Sequence, residues 1–183
     1  ADPAGPTSEP PASADEAPAE NSSLHDKLAV LLERALHQST AESRVALFHR
    51  ILDHLVPDEA RLLSALSDGS SYPLVHVFAR TKSGMSGDLL LANACLVGKM
   101  ANVSLPHLTP IYVANLLIWG LVQVGPEDPS MKDDYQILMA DNAVLKAVKS
   151  GSIGPITPRV ERHTLSMSAL GHELWAAAAG AQS

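Results

Sequence analysis

The chain has one cysteine, Cys95, in 183 residues. No intrachain disulfide can form, and a reducing compartment, the cytoplasm, is the simplest setting. Cys95 sits in the apolar run 89–97 with no base beside it, which reads as a buried structural thiol and not a nucleophile. Aromatic residues are scarce, at 4%, so a stacking platform for single-stranded nucleic acid is not expected. Positive charge is also short: 13 Lys+Arg stand against 20 Asp+Glu, a net charge of -7, which argues against a phosphate binder. No apolar run is long. The uncharged stretch 100–126 has an apolar centre, Ile111 to Val124, of about 14 residues, below the ~20 that span a bilayer. No positively charged start followed by an apolar segment marks a leader. The chain begins Ala1-Asp2-Pro3, as a processed product or a fragment would.

Residues 1–23 differ from the rest. They hold five prolines, six alanines and five acids (Asp2, Glu9, Asp15, Glu16, Glu20), with no Lys, Arg or large apolar residue. Such a composition cannot bury enough surface to offset its ordering entropy, so a disordered acidic tail or linker is expected. Without it, 13 basic residues face 15 acidic ones, and the remaining chain is close to neutral. The length suits one domain with a helical extension.

Helical periodicity begins at Leu24. Leu24, Leu28, Leu31, Leu32, Ala35 and Leu36 recur at three- and four-residue spacing, with Ser22 or Ser23 as the cap and Asp26 in the first turn. A second helix is predicted after Thr40, carrying Val45, Leu47, Phe48, Ile51, Leu52 and Leu55. Together they form an extension over 24–56. Pro57-Asp58-Glu59 opens a third helix, with proline early and acids at the positive end of the dipole; Ala60, Leu62, Leu63 and Leu66 form its core face. Residues 72–78 suit a strand or a short helix entry, 80–88 a polar loop, and 89–100 a helix. A helix over 110–119 ends at Gly120, and 121–124 reads as a strand. A helix over 133–149, a Gly/Pro loop over 150–158, a strand over 160–167 and a closing helix over 169–179 complete the chain.

A capped helix, a terminal glycine and a strand, as in 109–124, make the pattern of a winged helix, with Gly120 as the left-handed cap residue. The partner strand is expected at Arg162 to Met167. An oversized wing of roughly 37 residues, carrying the helix at 133–149, then separates the two strands. The predicted fold is mainly α with a small β-hairpin: a winged-helix-like domain over 57–183 with an N-terminal helical extension.

In DNA-binding winged helices the helix before the wing enters the major groove. Here it contains no Lys or Arg, and Tyr112 and Asn115 are its only large polar side chains. Arg80, Lys82 and Lys99 frame one flank, and Arg159, Arg162 and His163 the wing. These cations are scattered, where a DNA face shows a basic stripe.

Other chemistry-bearing patterns are incomplete. Among eight histidines, His49 and His54 are five apart, not the four of a helical zinc pair, and His172-Glu173 lacks a second histidine. Asp133-Asp134 and Glu127-Asp128 read as solvated or capping acids. Ser83-Gly84-Met85-Ser86-Gly87 lacks the Lys-Ser/Thr of a phosphate loop, and no Gly-x-Ser-x-Gly elbow occurs. No metal or cofactor is expected.

Four blocks together resemble a known family. They are Leu55-Val56-Pro57-Asp58-Glu59-Ala60-Arg61-Leu62-Leu63; Tyr112-Val113-Ala114-Asn115-Leu116-Leu117-Ile118-Trp119-Gly120-Leu121-Val122; Asp134-Tyr135-Gln136-Ile137-Leu138; and the run 162–174, with His163-Thr164-Leu165 and Gly171-His172-Glu173-Leu174. In this order they resemble the bacterial abortive-infection alpha family over residues 43–178. Val56 stands where the family has Ser or Thr, Trp119 where it has Leu, and Leu174 where it has an aromatic. The resemblance implies a non-enzymatic protein linked by name to phage defence, and it carries over no catalytic residue. The expected function is therefore a protein-interaction module. A protein partner or a second copy would dock on Leu24, Leu28, Leu31, Leu32 and Phe48, unless the helices at 24–38 and 42–55 pack on the domain core instead. The alternative is a winged-helix transcription regulator using Tyr112, Asn115, Arg159, Arg162 and His163. A third reading is a small enzyme built on a histidine cluster.

Overall fold

The computed structural model describes residues 23–80 and 86–180. The predicted tail, apart from Ser23, lies outside the described residues, as do Lys82 and most of the glycine-spaced segment. Among the described residues no helix is long and apolar enough to cross a membrane. The chain divides into two units, Ala1–Ala46 and Leu47–Ser183.

The first unit holds α1 (Leu24–His37) and the start of α2 (Thr40–His54). Both helices open with reciprocal caps. The Ser23 hydroxyl accepts from the Asp26 N–H at 3.1 Å while the Asp26 carboxylate accepts from the Ser23 N–H at 3.1 Å. Ser39 and Glu42 repeat the arrangement at the start of α2. Each exchange satisfies two N–H groups that a helix start leaves without partners. No residue of α1 is buried.

In the second unit, α2 contributes Phe48 and Ile51 to the core. There follow α3 (Pro57–Leu66), β1 (Tyr72–Arg80), β2 (Ser86–Cys95), α4 (Val97–Met100), α5 (Thr109–Ile118), β3 (Val122–Gly125), α6 (Lys132–Met139), α7 (Asn142–Gly151), β4 (Arg159–Met167) and α8 (Ala169–Ala179). The strands form one antiparallel sheet in the order β2-β1-β4-β3. Strand alternation divides the core. Leu74, Leu165, Val122 and Met167 face a cluster with Leu62 and Leu66 of α3, Val113 and Leu116 of α5 and Leu174 of α8. Val75 and Val77 face the opposite side, against Tyr135 and Leu138 of α6 and Val144 and Ala147 of α7. β1 is thus apolar on both faces, as a strand covered from two sides must be.

Several predictions from sequence are corrected. The hairpin β3–β4 forms, but as half of a four-stranded sheet. The helix predicted over 89–100 is mostly the strand β2, with only Val97–Met100 helical. Leu-Leu-Leu-Ala favours a helix locally, but pairing of Leu89 and Leu91 with Phe78 and Val77 overrides that preference. The strand has an irregularity at Asn93 (φ 56), whose N–H donates to His76 Nδ1 at 3.1 Å. The helix predicted over 133–149 is two helices, because Asp141 caps α7 by accepting from the Ala143 N–H at 2.9 Å. The segment expected as a wing is therefore no protruding loop: α6 and α7 cover the second face of the sheet. In α3, Ala60 is exposed, while Asp58 and Glu59 are buried.

Two glycines are demanded by geometry. Gly120 has φ +68, a conformation that suits glycine, and ends the α5 segment before β3. A Cβ on Gly171 would collide with the Leu121 carbonyl, so α8 approaches the chain there as only glycine allows.

Candidate interaction surfaces

Three places could carry function: the face of α1, the region around α5 and the wing, and a cleft beside α7.

On α1 the residues predicted from sequence are open. Leu24, Leu28, Leu31 and Leu32 are 87%, 55%, 59% and 60% exposed. Val30 and Leu36 are exposed as well. Phe48, grouped with the leucines by its helical spacing, is only 7% exposed and belongs to the core of the second unit. It is corrected to a packing residue: it lies on the same side of α2 as Ile51, which is also in that core.

Of the α5 residues predicted to read DNA, Tyr112 is buried, while Asn115 is exposed with its side chain hydrogen-bonded to a buried acid. The Tyr112 hydroxyl is close to the Asp58 carboxylate. Burial and the nearby Asp58 charge push the Tyr112 hydroxyl above its ordinary pKa. Asn115 donates its side-chain N–H to Glu59 Oε1 at 2.9 Å, and Glu59 Oε2 accepts from the Val56 N–H at 3.0 Å. Glu59 is 1% exposed, so these bonds are its compensation for leaving water. Asp58 accepts from the N–H groups of Ser104 (2.9 Å) and Leu105 (3.1 Å) and from Arg61 Nη1 (2.6 Å). The Ser104 amide holds its carboxyl below the ordinary aspartate range, helped by Leu105, Arg61 and Tyr112 against the opposing effect of burial. The two acids and their partners pin α3 to α5 and to the segment before it. Sequence reasoning missed this role. The available signal was two adjacent acids in a helix whose third turn is apolar.

The three basic residues predicted for the wing lie on β4 and have acidic partners. Arg159 Nη2 lies 3.0 Å from Glu161 Oε1, and Arg162 Nη1 lies 3.3 Å from Glu127 Oε1. The Arg162 guanidinium also covers the Tyr135 ring, 5.6 Å from its centroid. His163 Nε2 is 3.7 Å from Glu161 Oε2. The exposed residues of α5 are Ile111, Asn115 and Ile118, with Ile118 79% exposed. A helix that reads a groove needs cations near this face, and α5 has none.

Two histidines do meet. The rings of His76 and His163 are 5.2 Å apart on one face of the sheet. His76 Nδ1 accepts from the Asn93 N–H, so its proton sits on Nε2 and neither nitrogen has a lone pair left for a metal or a substrate proton. Burial, then His163, pushes its pKa down, with Glu161 opposing. Among the described residues no group of three or more His, Cys, Asp or Glu side chains is placed to hold a metal.

The cleft, of about 230 Å³, is lined by Cys95, Lys99, His107, Thr109, Leu138 and Asp141 among others. Lys99 Nζ and Asp141 Oδ2 form an ion pair of 2.8 Å across it. Burial pushes the Asp141 carboxyl upward, but the Lys99 and Ala143 hydrogen bonds outweigh it and hold the pKa low. Cys95 is buried and its thiol is pushed up to about 12, so it stays protonated at neutral pH. Cys95 is therefore not an activated nucleophile.

The family model described as abortive infection alpha matches residues 5–178, further toward the N-terminus than the sequence blocks at 43–178. No curated protein matches the chain. A solved structure, described as that of an uncharacterized protein from the hydrocarbon-degrading marine bacterium Alcanivorax borkumensis SK2, is similar with a TM-score of 0.61 and 30% identity. The similarity covers 78% of this chain and 99% of that one.

Proposed function

Because the chain belongs to the abortive infection alpha family, we propose that it is a non-enzymatic interaction protein of phage defence whose contact surface is the apolar face of α1. The observation that carries this reading is the state of α1: fourteen residues, none buried, with five leucines open to water. An isolated helix of ~12–15 residues is marginal in water and gains its stability from packing. Six large apolar side chains are exposed on this short helix, and five of them are leucines spaced along one side, an exposed apolar patch. Such patches mark association sites.

The second unit is the scaffold, and we read it as a winged-helix variant. Supporting this is the strand succession β1-β4-β3 with α5 directly before β3, extended by one edge strand, β2. The mostly apolar, cation-free exterior of α5 and the acid-paired wing cations support protein contact over DNA contact. The single buried thiol supports action in the cytoplasm.

The test is phage plating on cells expressing the chain. Leu28→Glu/Leu31→Glu is expected to abolish protection at unchanged protein abundance, while Lys99→Ala/His107→Ala in the cleft retains it. Full protection by the α1 variant together with loss in the cleft variant would reverse the reading toward a catalytic cleft.

A further inference from the structure

We propose that the occupant of the α1 face is a second copy of the same helix, paired in parallel. The proposal rests on the reading of α1 as the contact surface and names its partner. Leu24, Leu28, Leu31 and Ala35 are spaced by four, three and four residues, the alternation that keeps one seam facing a partner helix in a left-handed coiled coil. A seam of this kind is complementary to itself. The charges agree: Asp26 and Glu33 balance Lys27 and Arg34, so neither an acidic nor a basic partner is selected over another copy.

The same charges set the direction. Lys27 and Arg34 flank the seam on one side, and His25 and Leu32 on the other. An antiparallel pair would bring Lys27 against Arg34 of the other copy, a like-charge contact. A parallel pair instead lays the Lys27 stem over Leu32 of the other copy, covering the leucine while the ammonium stays in water. The chain's first 22 residues hold no large apolar side chain that would match a leucine seam.

The test uses the full chain. Light scattering across a concentration series should show a mass above the 19.3 kDa of one chain that falls toward it on dilution. Leu28→Glu/Leu31→Glu should stay at one-chain mass throughout, with the melting of the folded body unchanged. Leu24→Cys should give a disulfide-linked dimer under mild oxidation, since a parallel seam sets the two position-24 residues side by side and Cys95 is buried. Adding Leu28→Glu/Leu31→Glu should suppress that product. A wild-type chain of one-chain mass at every concentration overturns the proposal. So does a multimer that survives Leu28→Glu/Leu31→Glu, or a Leu24→Cys chain that associates without cross-linking. If the wild type is monomeric and plating still depends on Leu28 and Leu31, only the second copy is wrong. If plating is also indifferent to them, the α1 reading fails with it.

Discussion

Asn115 and Glu59 show how one polar contact decides between two roles. From sequence, Asn115 is the natural base-reading side chain of α5, since asparagine pairs well with adenine. In the fold its side-chain N–H is bound to a carboxylate that is 1% exposed. Removing it would leave Glu59 Oε1 short of a donor in a buried place. Asn115→Ala is expected to lower unfolding stability by about 1–3 kcal/mol, the range for stranding a buried acceptor, measured from urea midpoints. An unchanged midpoint would return Asn115 to the list of surface contacts. Its partner was hard to read because Glu59 at the third position of a helix is usually a solvated capping acid, and only the arrival of α5 buries it. Val56 adds to this: it offers no cap of its own, so Glu59 supplies half of the capping pair to the Val56 N–H.

At the scale of elements, Asp58 ties α3 to residues 104 and 105, which lead into α5. Its folded pKa lies below the ordinary 3.8. The unfolded chain therefore takes up this proton first as pH falls. The stabilisation is complete above that value and is lost as pH drops below 3.8 toward the folded pKa. The stability difference between the wild type and Asp58→Asn should accordingly shrink as pH is lowered through this window and stay constant above pH ~5. Urea unfolding at a series of pH values measures it, and a difference that is flat down to the acid limit would rule out Asp58 as the titrating tie. Most elements were legible because their signals are local: the Ser23–Asp26 cap, Pro57, Gly120, and the alternation before α8. β2 was not, since its leucines carry no strand signature until β1 lies beside them. The break between α6 and α7 was legible in principle, because Asp141-Asn142 is a good helix start, but the apolar spacing runs on through it.

The whole molecule has a division of labour. The second unit satisfies itself: its sheet is covered on both faces, and among the described residues every buried side-chain polar atom has a partner. The first unit leaves its leucines in water. That contrast was half visible in the sequence. Periodicity showed that 24–37 has an apolar face, but not whether the rest of the chain would use it. Phe48 and Leu28 share the same pattern and have opposite fates, because only the later half of α2 reaches the core. The central claim is that α1 is a surface held ready for a partner. Its most direct test is hydrogen exchange of the full chain at high dilution, read segment by segment. The expected result is rapid exchange of the amides in 28–37 while those of α5 and β1 stay protected, with α1 gaining protection when the partner is present. Amides of α1 as slow as those of α5 in the dilute, single chain would contradict it, since the helix would then already be packed.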